Sequence, residues 1–150
     1  MRSTGLRLAG TLSIGLLALL FGGCGSNNTG RIVGTWKITS TSKPVEELDQ
    51  VRSMGLASAW NFKADGTVEL TVVPELTDPD TVKLAESTAE GMKKKNLTGK
   101  YTLGIGNLVT FSDSPRLFGS GLLRAEVVVT GDVMELRDSA GFTMRFARVR

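Results

Sequence analysis

Apolar and polar residues alternate along most of the chain after residue 30, in short segments that turns separate. In the first segment Ile32, Gly34, Trp36 and Ile38 share one face, while Thr35, Lys37 and Thr39 lie on the other. A repeat of two residues is typical of a β-strand with one buried face. Seven further strands are predicted, marked in chain order by Trp60 and Phe62; Val68, Leu70 and Val72; Gly99, Tyr101, Leu103 and Ile105; Leu108–Ser112; Leu123, Ala125, Val127 and Val129; Met134 and Leu136; and Phe142, Met144 and Phe146.

Short turns join most of these strands. Ala64-Asp65-Gly66, Gly106-Asn107 and Gly131-Asp132 carry the residue types of tight hairpin turns. A series of hairpins must hide its outer edges, and closure into a barrel does this most completely. The pattern therefore predicts an all-β fold, an eight-stranded antiparallel up-and-down barrel with one or two short helices in its connections.

Two connections break the alternation. Pro44 to Met54 has acidic residues early, Arg52 late and apolar residues at three-residue spacing, which predicts a short amphipathic helix. The segment from Asp80 to Lys95 has two interpretations. One is a helix with Asp80 as its N-cap and an apolar face of Val82, Ala85, Ala89 and Met92; the other is an extended hairpin that prolongs the neighbouring strands.

The first residues form a different kind of segment. Arg2 and Arg7 precede Leu8–Phe21, an uncharged run of 14 residues, and Gly22-Gly23-Cys24 follows it. A membrane span needs about 20 apolar residues, so this run is the hydrophobic region of a signal peptide. We predict a signal peptide over 1–23, a cysteine and flexible tether over 24–30, and one domain over 31–150.

Phe21-Gly22-Gly23-Cys24 resembles the lipobox of bacterial lipoproteins, with Phe21 where that motif usually has leucine. The resemblance implies that the signal peptide is removed and that Cys24 carries acyl chains, which anchor the protein to a membrane without a spanning helix. Gly25 follows the cysteine where aspartate would favour the inner membrane, so the resemblance favours the outer membrane of the cell envelope. A soluble secreted protein with a free Cys24 is the alternative.

Composition narrows the function. The chain has no histidine and one cysteine, which excludes Ser-His-Asp and Cys-His catalysis, histidine metal sites and an internal disulfide. No nucleophile–base pair and no metal-ligand set can be assembled, so we expect no catalytic residues, no metal, no cofactor and no enzyme activity. Loss of Arg2 and Arg7 lowers the net charge from +3 to +1, so we expect no nucleic-acid partner.

Gly34-Thr35-Trp36 resembles the G-x-W motif of lipocalins, in which the tryptophan plugs the closed end of an eight-stranded barrel. In that family an arginine near the end of the last strand covers the tryptophan. The resemblance assigns this role to Arg148, which shares a face with Met144 and Phe146. With GTWKITS, FKADGTVELTV, GKYTL and FTMRFARV, the chain resembles short lipocalin-like lipoproteins of bacteria, which are mostly uncharacterised and imply a fold rather than an activity.

The inward side chains are almost all apolar, and they lead to two functional hypotheses. The first is a binding protein for one small hydrophobic or amphipathic ligand inside the barrel, with Tyr101 as a polar contact. The second is a packed barrel acting as a protein-interaction or structural module, with exposed apolar residues at Leu117, Phe118 and Leu122. For the first hypothesis the candidate lining residues are Trp60, Phe62, Leu70, Tyr101, Leu103, Val127, Met134, Met144 and Phe146.

Overall fold

Eight antiparallel strands form a closed barrel in the order of the sequence, so the predicted fold class is confirmed. A computed structural model describes residues 29–113 and 123–150. The strands are β1 (Gly34–Thr41), β2 (Leu56–Phe62), β3 (Thr67–Pro74), β4 (Thr98–Leu103), β5 (Leu108–Ser112), β6 (Arg124–Thr130), β7 (Val133–Asp138) and β8 (Thr143–Arg148). Each strand pairs with its neighbours in the chain, and β8 returns to β1 to close the barrel.

The register places the apolar face of every strand inside. Trp36 is opposite Trp60 on β2 and opposite Arg148 on β8, and Ile38 is opposite Phe146. The β1–β8 pairing shifts by one residue between Ile38 and Ser40. Because cross-strand partners point to the same side of a sheet, these pairings gather the large side chains in one core.

Several strand boundaries differ from the predicted ones. Phe142, predicted in the last strand, lies just before β8, although its side chain is buried. The alternation predicts that Ile105 continues the inner face of β4, but the strand ends at Leu103 and Ile105 is fully exposed in the following turn. The turn closes where the Gly104 N–H donates to the Leu108 carbonyl over 2.7 Å. Leu123, predicted on the inner face of the sixth strand, lies just before β6 and is exposed.

Three helices accompany the barrel within residues 29–113 and 123–150. Thr29–Ile32 forms α1, so Thr29 and Gly30, expected in the tether, are helical. Ile32, predicted in the first strand, also belongs to α1, and β1 begins at Gly34. The predicted helix over 44–54 is present as α2 (Glu46–Ser53), and it buries Leu48 against the barrel core. None of the helices in the described part of the chain is long and apolar enough to cross a bilayer.

The segment with two interpretations is a helix, α3 (Pro79–Lys94). Its N-cap is Asp78 and not Asp80 as predicted, because the Asp78 carboxylate accepts the Thr81 N–H over 2.9 Å and Pro79 occupies the first helical turn. The predicted apolar face packs as a second small core, formed by Ala85, Ala89 and Met92 with Leu56, Val72 and Val51. This contact fixes α3 beside the end of β3.

Candidate functional site

The side chains predicted to line a ligand cavity all lie in or against the barrel core. Seven are buried in one cluster: Trp60, Phe62, Tyr101, Val127, Met134, Met144 and Phe146. Leu70 and Leu103 are partly buried and pack against that cluster. The structure therefore brings the whole predicted set together around the barrel interior.

Aromatic rings fill the middle of this interior. The Trp60 ring lies 5.4 Å from Phe146, 5.6 Å from Phe111 and 6.0 Å from Phe62, measured between ring centroids. The Phe62 ring meets Tyr101 edge to face at 5.1 Å. Such tilted and edge-to-face contacts are the favourable geometries for packed rings. We define Trp60, Phe62, Tyr101, Phe111 and Phe146 as the ring cluster.

Phe111 is the member of the ring cluster that the sequence reasoning missed. It is 2% exposed, and Val109, two residues before it on β5, is fully buried. The signal was present, because Val109 and Phe111 alternate with the polar Thr110 and Ser112. The strand over Leu108–Ser112 follows from this pattern, and so does the inward position of Phe111.

The hydroxyl of Tyr101, the expected polar contact for a ligand, already has a protein partner. It donates to the Lys63 carbonyl over 2.7 Å, at the turn between β2 and β3. Burial, and to a smaller extent the negative charge of Asp65, raises the pKa of the phenol. Tyr101 thus closes the rim of the barrel and packs its ring inside.

Gly34, Trp36 and Arg148 meet where α1 joins the barrel, at the start of β1 and the end of β8. Trp36 is fully buried, and its indole N–H donates to the Ile32 carbonyl over 2.7 Å. The Arg148 guanidinium lies over the indole, with Cζ 4.1 Å from the ring centroid. Its Nη1 and Nη2 donate to the carbonyls of Val33 and Arg31, at 2.9 and 2.6 Å.

The other arginine of β8 points outward. Arg145 donates to Glu135 over 3.0 Å on the barrel surface, and Arg137 contacts the same carboxylate at 3.1 Å. The hydrogen bond from Arg145 is the main cause that lowers the pKa of Glu135. The alternation along β8 thus separates Arg148, on the tryptophan, from Arg145, in a surface ion pair.

Four cavities formed by described residues lie on the outside of the barrel, and the ring cluster lines none of the four. The largest of them has a volume of about 560 Å³. It runs between the C-terminal end of α3 and the outer side of β3, and we name it the β3–α3 cleft. Its lining residues are Thr35, Asn61, Glu69, Leu70, Thr71, Val72, Val73, Met92, Lys93, Asn96, Leu97, Thr98 and Val149.

The remaining predicted site residues lie outside the described residues. These are Cys24, with the signal peptide, and the apolar loop residues Leu117, Phe118 and Leu122. Within 29–113 and 123–150, no three side chains of histidine, cysteine, aspartate or glutamate gather in a way that could hold a metal ion.

Comparisons with known proteins assign no family or function to this chain. No family model matches this chain, and a search of curated proteins finds no match.

Proposed function

We propose that this protein is a lipid-anchored, non-catalytic component of the cell envelope whose packed barrel is an interaction or structural module. The observation that supports the proposal is the ring cluster, whose aromatic side chains pack against one another in the barrel interior. Trp60 contacts Phe62, Phe111 and Phe146, and all four side chains are at most 2% exposed. An eight-stranded barrel is just wide enough for its own side chains to fill it.

The proposed anchor is Cys24, acylated after removal of 1–23. Thr29 begins α1 five residues after this cysteine. Five residues span at most about 18 Å, so an anchored protein would hold its Trp36 end close to the lipid surface. Replacement of Cys24 by serine should leave the protein unprocessed or release it from membranes. Recovery of the wild-type protein only in the aqueous phase of a detergent partition would contradict the anchor.

A substitution inside the barrel distinguishes a packed interior from a ligand cavity. Val127 is fully buried, and Val128, the next residue on β6, is half-exposed on the outer face. In a packed barrel Val127→Trp should lower the free energy of unfolding by about 1–3 kcal/mol, because no space receives the larger side chain. Val128→Trp is the matched control and should leave stability nearly unchanged.

The same proteins, prepared as residues 25–150 without acyl chains, should bind no more than traces of an environment-sensitive hydrophobic dye. Their melting temperature should not rise with dye concentration, since a ligand that binds only the folded state would raise it. The ligand-binding hypothesis predicts the opposite result. Saturable binding of one dye per chain, abolished by Val127→Trp at little cost in stability, would replace the packed-module proposal.

A further inference from the structure

The two edges of β3 are paired to different extents. On one side β2 pairs with β3 from Val68 to Pro74. On the other side β4 pairs only with Thr67–Glu69, and one more bond follows, from the Leu70 N–H to the Leu97 carbonyl at 2.9 Å. Beyond Leu70 no described strand pairs with this side of β3, and α3 packs against Val72. The last residues of β3 therefore have a strand neighbour on one side only.

The ladder geometry shows which backbone groups face this open side. The Lys63 N–H bonds the Thr67 carbonyl and the Glu75 N–H bonds the Gly55 carbonyl, so odd-numbered residues of β3 bond toward β2. The N–H and carbonyl of Val72 consequently point toward α3. No described residue forms a hydrogen bond with either group. A strand edge with unpaired donors and acceptors is a template for another strand.

The β3–α3 cleft lies directly along this open edge. Leu70 and Val72 contribute to its wall from the strand, and Met92 and Asn96 contribute from the end of the helix. Its volume of about 560 Å³ lies within the range of pockets that bind small ligands. A cleft between a strand edge and a helix suits an extended peptide, which gains main-chain hydrogen bonds from the edge.

Charge at the helix end indicates the kind of peptide. Lys93, Lys94 and Lys95 are consecutive and exposed at the C-terminal end of α3. Lys93 pairs with Glu90 at 2.7 Å, whereas no ion pair within the described residues involves Lys94 or Lys95. Glu69, the acidic residue in the lining, is neutralised by a salt bridge with Lys63. Lys93 and Asn96 line the cleft, so Lys94 and Lys95, which lie between them in the chain, add positive charge beside its mouth.

We propose that the β3–α3 cleft binds an extended acidic peptide segment, which adds to β3 as a short strand and pairs with Val72 and the Leu70 carbonyl. The inference rests on the proposed interaction role, for which it names the partner chemistry and the surface. It is independent of the lipid anchor and of the packing of the barrel interior, so the experiments on Cys24 and Val127 test the wider proposal separately.

The test uses the full chain purified from membranes in a mild nonionic detergent. The probe is a fluorescent, N-acetylated Glu-Val-Thr-Val-Glu amide, and the matched control peptide carries a methyl group on the nitrogen of its threonine. Fluorescence anisotropy at low salt should show saturable binding in the micromolar range, at least tenfold weaker for the methylated peptide. Bound peptide should also slow hydrogen exchange in the segment that contains Val72.

Charge reversal tests the basic mouth. Lys94→Glu with Lys95→Glu should weaken binding at least fivefold, while Lys83→Glu, an exposed change near the other end of the same helix, should leave binding unchanged. Equal binding of the methylated peptide, or no binding at millimolar peptide, would overturn the proposal. Saturable binding of laurate below its micellar concentration, with no binding of the peptide, would assign the cleft to amphiphiles and overturn it as well.

Discussion

A Cβ atom on Gly34 would lie 2.8 Å from Nη1 of Arg148, so the guanidinium would have to move away from its position to make room. Gly34 also has a φ of 129°, a conformation that is almost restricted to glycine. The glycine thus leaves the space in which the guanidinium reaches over Trp36 and bonds the Val33 carbonyl. This relationship gives a structural reason for glycine two residues before the tryptophan.

Gly34→Ala should lower the free energy of unfolding by about 1–3 kcal/mol through backbone strain, with a further loss from the contact with Arg148. In an Arg148→Ala background the contact is absent, so the same change should cost less. Gly91→Ala is the control, because a Cβ there meets nothing within 4 Å, and it should stabilise α3 slightly. Denaturant unfolding of the wild type, Gly34→Ala, Arg148→Ala, the double variant and Gly91→Ala measures these differences. Equal costs of Gly34→Ala in both backgrounds would show that Arg148 does not need the space.

Trp36 and Arg148 should be energetically coupled. Trp36→Ala removes a fully buried side chain and should cost about 3–5 kcal/mol. Arg148→Ala should cost less, because the Arg148 side chain is 28% exposed rather than fully buried. A double-mutant cycle should give a coupling free energy of about 0.5–2 kcal/mol, the range of a cation–π contact. If the stability losses of Trp36→Ala and Arg148→Ala simply add, the barrel-closing role assigned to Arg148 is wrong.

Tyr101→Phe tests the phenol at the barrel rim. Loss of the bond to the Lys63 carbonyl should cost about 0.5–1.5 kcal/mol at neutral pH. Because burial raises the folded-state pKa of Tyr101, the unfolded chain loses the phenolic proton first as pH rises. The stability that the hydroxyl supplies is complete below pH 10 and decreases above it, toward the folded-state pKa. The difference between wild type and Tyr101→Phe should therefore shrink above pH 10; a constant difference from pH 8 to 11 would contradict this.

Two aspartates at the start of α3 should behave differently. The hydrogen bonds from Thr81 to the Asp78 carboxylate lower its pKa, so the cap operates at neutral pH and weakens as the carboxylate becomes protonated. Asp78→Ala should lower the melting temperature at pH 7 and speed hydrogen exchange in α3. Asp80→Ala, the matched control inside the first turn, should have a smaller effect. A larger effect at Asp80 would place the cap where the sequence alone suggested.

The alternation of apolar and polar residues was sufficient to predict the barrel and most of its inner face, although Ile105 and Leu123, predicted on that face, are exposed. A strand turns successive side chains to opposite sides, so the positions of Val127, Met134 and Phe146 inside follow from local geometry. The same rule separated Arg148 from Arg145 before any contact was known. The direction of each of these side chains depends only on its place in the local alternation, so it can be predicted from the sequence.

Only the tertiary structure decided how full the barrel is and where its open edge lies. Trp60 and Phe111 come from β2 and β5, and their 5.6 Å contact depends on the curvature and register of the whole sheet. The helix in place of a longer β4 results from the packing of Ala85 and Met92 on Leu56, a contact between segments that periodicity cannot relate. That packing leaves Val72 without a strand on its α3 side. Interactions between distant segments thus set the core and the cleft, because local propensity is too weak to choose among the alternatives.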